Sequence, residues 1–201
     1  MNGLWQSKNH VYVNGVLSYN RDNNELTRTD VGTNKSDFNI KNLAALLEVG
    51  KRIDRKTVNF TPYVSLLGVH YKRGGVSESG SGAGLNVDGD SHSYLTSSLG
   101  VRIGKDFLDQ RGQKRGGVMG GLSWQHQFSG TDISVTASLQ SAPAGASFTT
   151  YGTPLSRNSL GVQVGAYGRL TRDMLGFLNY SGNFGGNQKV NSIAAGVQYQ
   201  F

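Results

Sequence analysis

The chain has 201 residues, 36% hydrophobic and 16% charged, with 29 glycines, 3 prolines and no cysteine. That length suits one domain or at most two, and the missing cysteines exclude a disulfide scaffold, a thiolate metal site and a cysteine nucleophile. Twenty Lys+Arg against 13 Asp+Glu give +7, but the densest basic groups, around Lys51–Lys56 and Arg111–Arg115, lie between apolar segments as turn residues do, so the charge does not indicate nucleic acid.

No apolar run reaches about 18 residues, so no membrane helix is expected. Met1–Trp5 lacks the basic start and apolar core of a signal peptide. Strands then follow from alternation with period two. Val11, Val13, Leu17 and Tyr19 oppose Tyr12, Asn14, Ser18 and Asn20, and Asp22-Asn23-Asn24 reads as a turn. Leu43, Ala45, Leu47, Val49 and Ile53 oppose Asn42, Glu48 and Arg52, before the turn Asp54-Arg55-Lys56. Phe60–Tyr71 carries apolar residues on both parities. Arg73–Ser93 reads as a long polar loop. Its glycine-rich stretch Gly80–Gly84 lacks the lysine of a phosphate loop. Leu95, Leu99, Val101, Ile103 and Phe107 oppose Tyr94, Thr96, Ser98, Gly100 and Arg102, and Arg111-Gly112-Gln113 is a turn. Val118, Leu122, Trp124 and Phe128 oppose Ser123, Gln125 and Gln127, and a second polar loop runs from Ser141 to Asn158. Leu160, Val162, Val164, Ala166 and Leu170 oppose Gly161, Gln163, Gly165, Tyr167 and Arg169, with a turn at Thr171-Arg172-Asp173. Met174–Phe184 alternates imperfectly. Ile193, Ala195, Val197, Tyr199 and Phe201 close the chain against Ser192, Ala194, Gly196, Gln198 and Gln200.

The pattern predicts an all-β antiparallel meander of about eight strands, each of roughly ten residues. A soluble barrel or sandwich would turn the apolar face inward; an outer-membrane barrel would turn it outward. The opposite face is Gly, Ser, Gln, Asn and Tyr, with Glu48, Arg102 and Arg169 scattered on it. Small polar residues suit a confined lumen. Strands of this length suit a tilted membrane crossing, and Tyr19, Trp124, Phe128, Tyr199 and Phe201 suit interfacial girdles. The transmembrane β-barrel is therefore the preferred architecture. Glu48, Arg102 and Arg169 are its expected lumen-facing charges, because an Arg facing lipid costs about 2–4 kcal/mol at the midplane. In the lumen they can hydrate, pair or hold a threaded segment. His10, His70, His92 and His126 lack ligand spacing, and no Gly-x-Ser-x-Gly elbow occurs. No catalytic, metal or cofactor residue is predicted.

The C-terminal Ala195–Phe201 resembles the terminal-strand signal of bacterial outer-membrane barrels. The resemblance makes Val197, Tyr199 and Phe201 the residues read by the barrel-assembly machinery. Ala142-Pro143, Ala146-Ser147-Phe148, Gly152, Pro154 and Arg157 resemble a loop-to-strand segment of autotransporter β-domains. Thr61–Leu66, Leu99–Arg102 and Trp124–Phe128 resemble further strands of that family, in the same order. The resemblance covers nearly the whole chain, taken as one domain over 1–201. It implies a translocator in the bacterial outer membrane that anchors and helps export an N-terminal passenger by type V secretion, without cofactor or catalysis. Outer-membrane lipid, lipopolysaccharide, the barrel-assembly machinery, periplasmic chaperones and the passenger are its implied partners, and nucleic acid is not. The family's barrel usually has twelve strands threaded by a helix. Aligned by these motifs, the predicted strands correspond to the last eight, and the first four strands, the linker helix, the passenger and the signal peptide have no counterpart. Two alternatives stay open: a self-contained eight-stranded outer-membrane barrel acting in adhesion or surface binding through its loops, and a soluble β-sandwich binding protein.

Overall fold

The computed structural model describes residues 1–30, 32–55, 58–80, 83–143 and 146–199. Its strands are β1 (Asn2–Gln6), β2 (Val11–Asp30), β3 (Gly32–Lys51), β4 (Ile53–Asp54), β5 (Asn59–Arg73), β6 (Val76–Ser77), β7 (Ser79–Gly80), β8 (Leu85–Val87), β9 (Asp90–Leu108), β10 (Lys114–Ser129), β11 (Ser134–Leu139), β12 (Ser147–Tyr151), β13 (Asn158–Arg169), β14 (Met174–Gly185) and β15 (Lys189–Tyr199). The main sheet is an antiparallel meander in the order β1-β2-β3-β5-β9-β10-β13-β14-β15, with β4 and β7 attached to β5 and β3.

Among the described residues the wall thus has nine strands rather than eight. The extra one, β1, spans 5 residues, too few for a visible alternation. It pairs with β2 from Asn2↔Val16 to Gln6↔Tyr12, so the segment from Val11 is not an edge. Strands on this side also exceed ten residues: β2 and β3 have 20 each and β9 has 19, against 11 in β15. The alternating segments are the parts nearest the short turns. Beyond Asn20 and Asn42 the β2–β3 ladder continues unbroken to Asp30↔Gly32. Asp22-Asn23-Asn24 is therefore strand, paired to Ile40, Asn39 and Phe38. A continuous ladder outweighs the local turn preference of Asp and Asn. Pro62, with no N–H to donate, pairs with Val101 of β9 and lies where the ladder toward β3 is interrupted, between Gly50↔Tyr63 and Ile53↔Phe60.

The pairing is sheared. Asn59, first in β5, pairs with Gly104 and not with the end of β9 at Leu108. Such a stagger tilts the strands and curls the sheet. The curl is visible where Arg102 of β9 reaches across β5 and β3 to within 3.2 Å of the Tyr12 hydroxyl on β2. The face carrying these two residues is concave. On the convex face, Leu99 is 60% exposed, Leu122 54% and Ile193 74%. Among the described residues the buried hydrophobics are Val76 and Ala137, while Glu48, Ser65 and Ser123 are buried on the concave side. This is the reverse of a soluble fold, in which burial of apolar surface drives folding in water. The mixed parity of Phe60–Tyr71 arises because Val16, Leu46 and Leu67 share one apolar rung of the concave face. Among the described residues β1 and β15 each have one neighbour, so the wall is an open half-barrel.

Both segments read as polar loops contain strands. β12-β11-β8-β6 form a second, four-stranded sheet at the long-loop end. Val76 and Ala137 are its small buried core. Two- and three-residue strands carry too little alternation to be recognised. A bidentate ion pair ties this sheet to the long hairpin: Arg28 Nε and Nη2 donate to Glu78 Oε1 and Oε2 at 3.0 and 2.7 Å. Glu78 also accepts the Leu85 N–H at 2.9 Å.

Candidate functional site on the concave face

Strand parity places Tyr12, Glu48, Tyr63 and Arg102 on one face of four neighbouring strands, and shear brings them together. Arg102 Nη1 and Nη2 donate to the two Glu48 carboxylate oxygens at 2.8 and 2.7 Å. The Tyr12 hydroxyl donates to Glu48 Oε1 at 2.8 Å. The guanidinium carbon lies 3.8 Å above the centre of the Tyr63 ring. A planar fork matched to a carboxylate and stacked on an aromatic is a geometry only arginine supplies. Two glycines make room for it. Gly50 pairs with both Tyr12 and Tyr63, and Gly100 pairs with Tyr63. A Cβ on Gly50 would stand 2.5 Å from the Tyr12 oxygen, and one on Gly100 would stand 2.7 Å from the Tyr63 ring. The rings therefore lie flat on bare backbone.

Both Glu48 oxygens are engaged, and the residue is 8% exposed. The cluster has a fixed internal pairing, which suits a strut inside the wall and leaves no free base or ligand position. A similar arrangement recurs further along. The Tyr167 hydroxyl donates to Asp106 at 2.6 Å, and Lys114 Nζ lies 2.5 Å from the other oxygen of that carboxylate. Asn183 donates to Gln125 at 2.7 Å, continuing the polar concave surface onto β14.

The sequence-predicted charges divide. Glu48 and Arg102 meet; Arg169 does not join them. It ends β13 at the short-turn rim, exposed, and lines a cleft of about 180 Å³ with Arg172, Asp173, Leu175 and Gln198. Val197 and Tyr199 lie on the convex face of β15, 58% and 55% exposed; Phe201 lies outside the described residues. His126 stands between Trp124 and Phe128 in a convex aromatic row, with ring centres 5.8 and 4.8 Å away. No group of three or more His, Cys, Asp or Glu that could hold a metal ion occurs among the described residues. Sequence reasoning missed Tyr12 and Tyr63 as partners of the pair. The available signal was their concave parity opposite glycine, which is legible only once the register is known.

Residues 1–181 match the family model described as Autotransporter beta-domain. Two extracellular serine proteases of Serratia marcescens are 27% and 26% identical over 167 residues. Those matches cover 83% of this chain and 16% of each relative, so the chain spans under a fifth of the length of the curated relatives it matches.

Proposed function

The chain belongs to the autotransporter β-domain family, an outer-membrane translocator, and from that premise we propose that it helps export a passenger segment and anchors it at the cell surface. The inverted burial carries this reading. Leucines and isoleucines cover the convex face, while Glu48, Ser65 and Ser123 are buried on the concave one. In a bilayer only a closed sheet satisfies its backbone, with apolar residues toward lipid and polar ones toward the lumen. Further strands then join the open edges of β1 and β15 into one wall, and residues 1–201 form the C-terminal part of that one domain. The short turns face the periplasm and the long hairpins the exterior, as in other barrels. Arg102, Glu48 and Tyr12 brace the wall from within, so apart from the apolar rung of Val16, Leu46 and Leu67 the lumen presents chiefly Ser, Gln, Asn and Gly. A passenger hairpin slides over such a surface without a strong binding site to stop it. No cofactor enters the step. Tyr199, Val197 and Phe201 engage the assembly machinery after periplasmic chaperones deliver the chain, and the outer loops meet lipopolysaccharide.

A photo-crosslinking amino acid tests this in the protein expressed from its own gene. Placed at Gln163 or Ser181 on the concave face, it is expected to capture passenger in transit. Placed at Leu122 or Val164 on the convex face, it captures none. Capture from the convex positions alone would overturn the reading. One observation favours a second role, surface binding through the loops: Phe148 and Tyr151, on the outer strand of the loop sheet, are 51% and 79% exposed. Changing both to serine would reduce cell adhesion without reducing export if that role is real.

A further inference from the structure

The +7 net charge is not spread over the molecule. The short turns and the strand ends that feed them, residues 7–10, 51–55, 105–115 and 169–173, hold ten Lys or Arg and four Asp among the described residues. The rest of the described chain holds nine cations and nine acids. All the excess charge of the described residues therefore lies at one end of the barrel. Three of the four acids there are already engaged. Asp54 pairs with Arg52 at 2.8 Å and Asp106 with Lys114 at 2.5 Å. Asp109 accepts the backbone N–H groups of Arg111 and Gln113 at 2.8 and 2.9 Å. Arg55, Arg111, Arg115 and Arg172 make no ion pair with a described residue.

Two features point this charge at lipid. First, Lys51 and Lys105 sit on the apolar convex face, each paired to a valine, Val11 and Val118. The Lys105 ammonium lies 5.8 Å from the Phe107 ring centre. An aliphatic stem on apolar surface with its ammonium beside a girdle aromatic is the posture of a lysine reaching for headgroups. Second, an apolar groove of about 630 Å³ runs over the convex ends of β13, β14 and β15, floored by Ala166, Gly176 and Ala195 and walled by Leu170, Leu178 and Val197. Arg169 stands at its rim with the opposite, concave parity, in a separate cleft with Arg172, Asp173, Leu175 and Gln198. An apolar groove ending at a basic rim suits an acyl chain below an anionic headgroup.

We propose that the short-turn rim is a docking surface for anionic phospholipid headgroups of the periplasmic leaflet, with one lipid seated by its acyl chain in the β13–β15 groove and by its phosphate at the adjoining turn that carries Arg172. The proposal rests on the translocator reading, which places the short turns in the periplasm. A basic rim attracts an anionic leaflet by about fivefold in affinity per cation near the surface. It would fix the depth of the barrel while a passenger pulls on it.

The test uses the protein expressed from its own gene, purified into nanodiscs of phosphatidylglycerol mixed with phosphatidylcholine. Native mass spectrometry then counts the retained lipids. Phosphatidylglycerol is expected to be retained in preference, and less so at high salt. Arg172→Glu should cut retention severalfold, as should Arg111→Glu with Arg115→Glu. Ala195→Trp, which fills the groove without touching charge, should remove the most tightly held lipid alone. Equal retention of both lipids in the wild type overturns the proposal. So does unchanged phosphatidylglycerol retention in the reversed variants, including the case where they lose a co-purifying acidic protein instead. An impermeant thiol reagent applied to intact cells checks orientation separately. Labelling of Arg111→Cys from outside would sink the translocator orientation, whatever the lipid preference.

Discussion

At the scale of single residues, the concave cluster works because its charges are satisfied as a set. Arg102 donates twice to Glu48, Tyr12 donates once, and Tyr63 supports the guanidinium from below. Removing one partner leaves the other charge without compensation on a part-buried surface, whereas removing both leaves none. Glu48→Gln and Arg102→Met should each destabilise the folded barrel by about 1–3 kcal/mol, the range for hydrogen bonds to charged groups. The double variant should cost little more than either single one, giving a coupling of about 1–2 kcal/mol. Urea unfolding in detergent, followed by tryptophan fluorescence, measures all three. Strictly additive losses would mean that the two side chains hold the wall independently and that the bidentate contact contributes nothing of its own.

Elements show what the sequence could and could not reveal. Where a strand crosses the bilayer, one face meets hydrocarbon and the other a wet lumen, and that contrast is written into residues such as Leu99-Gly100-Val101-Arg102. Beyond Asn20 and Asn42 both faces of the β2–β3 hairpin are mostly polar, so the contrast vanishes and Asp22-Asn23-Asn24 looks like a turn although it is paired strand. The loop sheet is hidden for a related reason. β6 has 2 residues and β8 has 3, and the rest of their sheet, β11 beside β8 and β12 beside β11, comes from a distant segment. Fold class, orientation of faces and the charges Glu48 and Arg102 were legible; their meeting was not, because it depends on shear across four strands. The Arg28–Glu78 pair is likewise invisible at a separation of 50 residues. It holds the hairpin against the loop sheet, with Gly80 and Ser79 paired to Asn34 and Lys35 beside it. Arg28→Ala should therefore loosen the outer structure alone. Limited proteolysis of cells is expected to nick the variant within 22–40 while the membrane-embedded fragments stay intact. Resistance equal to wild type would show that the short β3–β7 ladder suffices without the ion pair.

For the whole molecule, the open edges decide its behaviour. β1 pairs with β2 on one side and β15 pairs with β14 on one side. Each presents a row of backbone donors and acceptors that nothing satisfies within the described wall. In water such an edge is a template for aggregation; in hydrocarbon each unsatisfied group costs several kcal/mol. Curling until β1 meets β15 is the one intramolecular escape. It gives a nine-stranded closure in which β1, 5 residues long, covers only about half of the 11-residue β15. Small closures are also filled by their own side chains. Residues 1–201 expressed alone and refolded in detergent are therefore expected to run as a polydisperse, protease-sensitive species without channel conductance. Supplying further strands that bridge β15 to β1 should convert them to a monodisperse, heat-modifiable barrel. Size-exclusion chromatography, protease challenge and planar-bilayer recording read the two forms directly. A monodisperse, resistant and conducting particle from the 201 residues alone would show that the edges close on each other and that no further strands are needed.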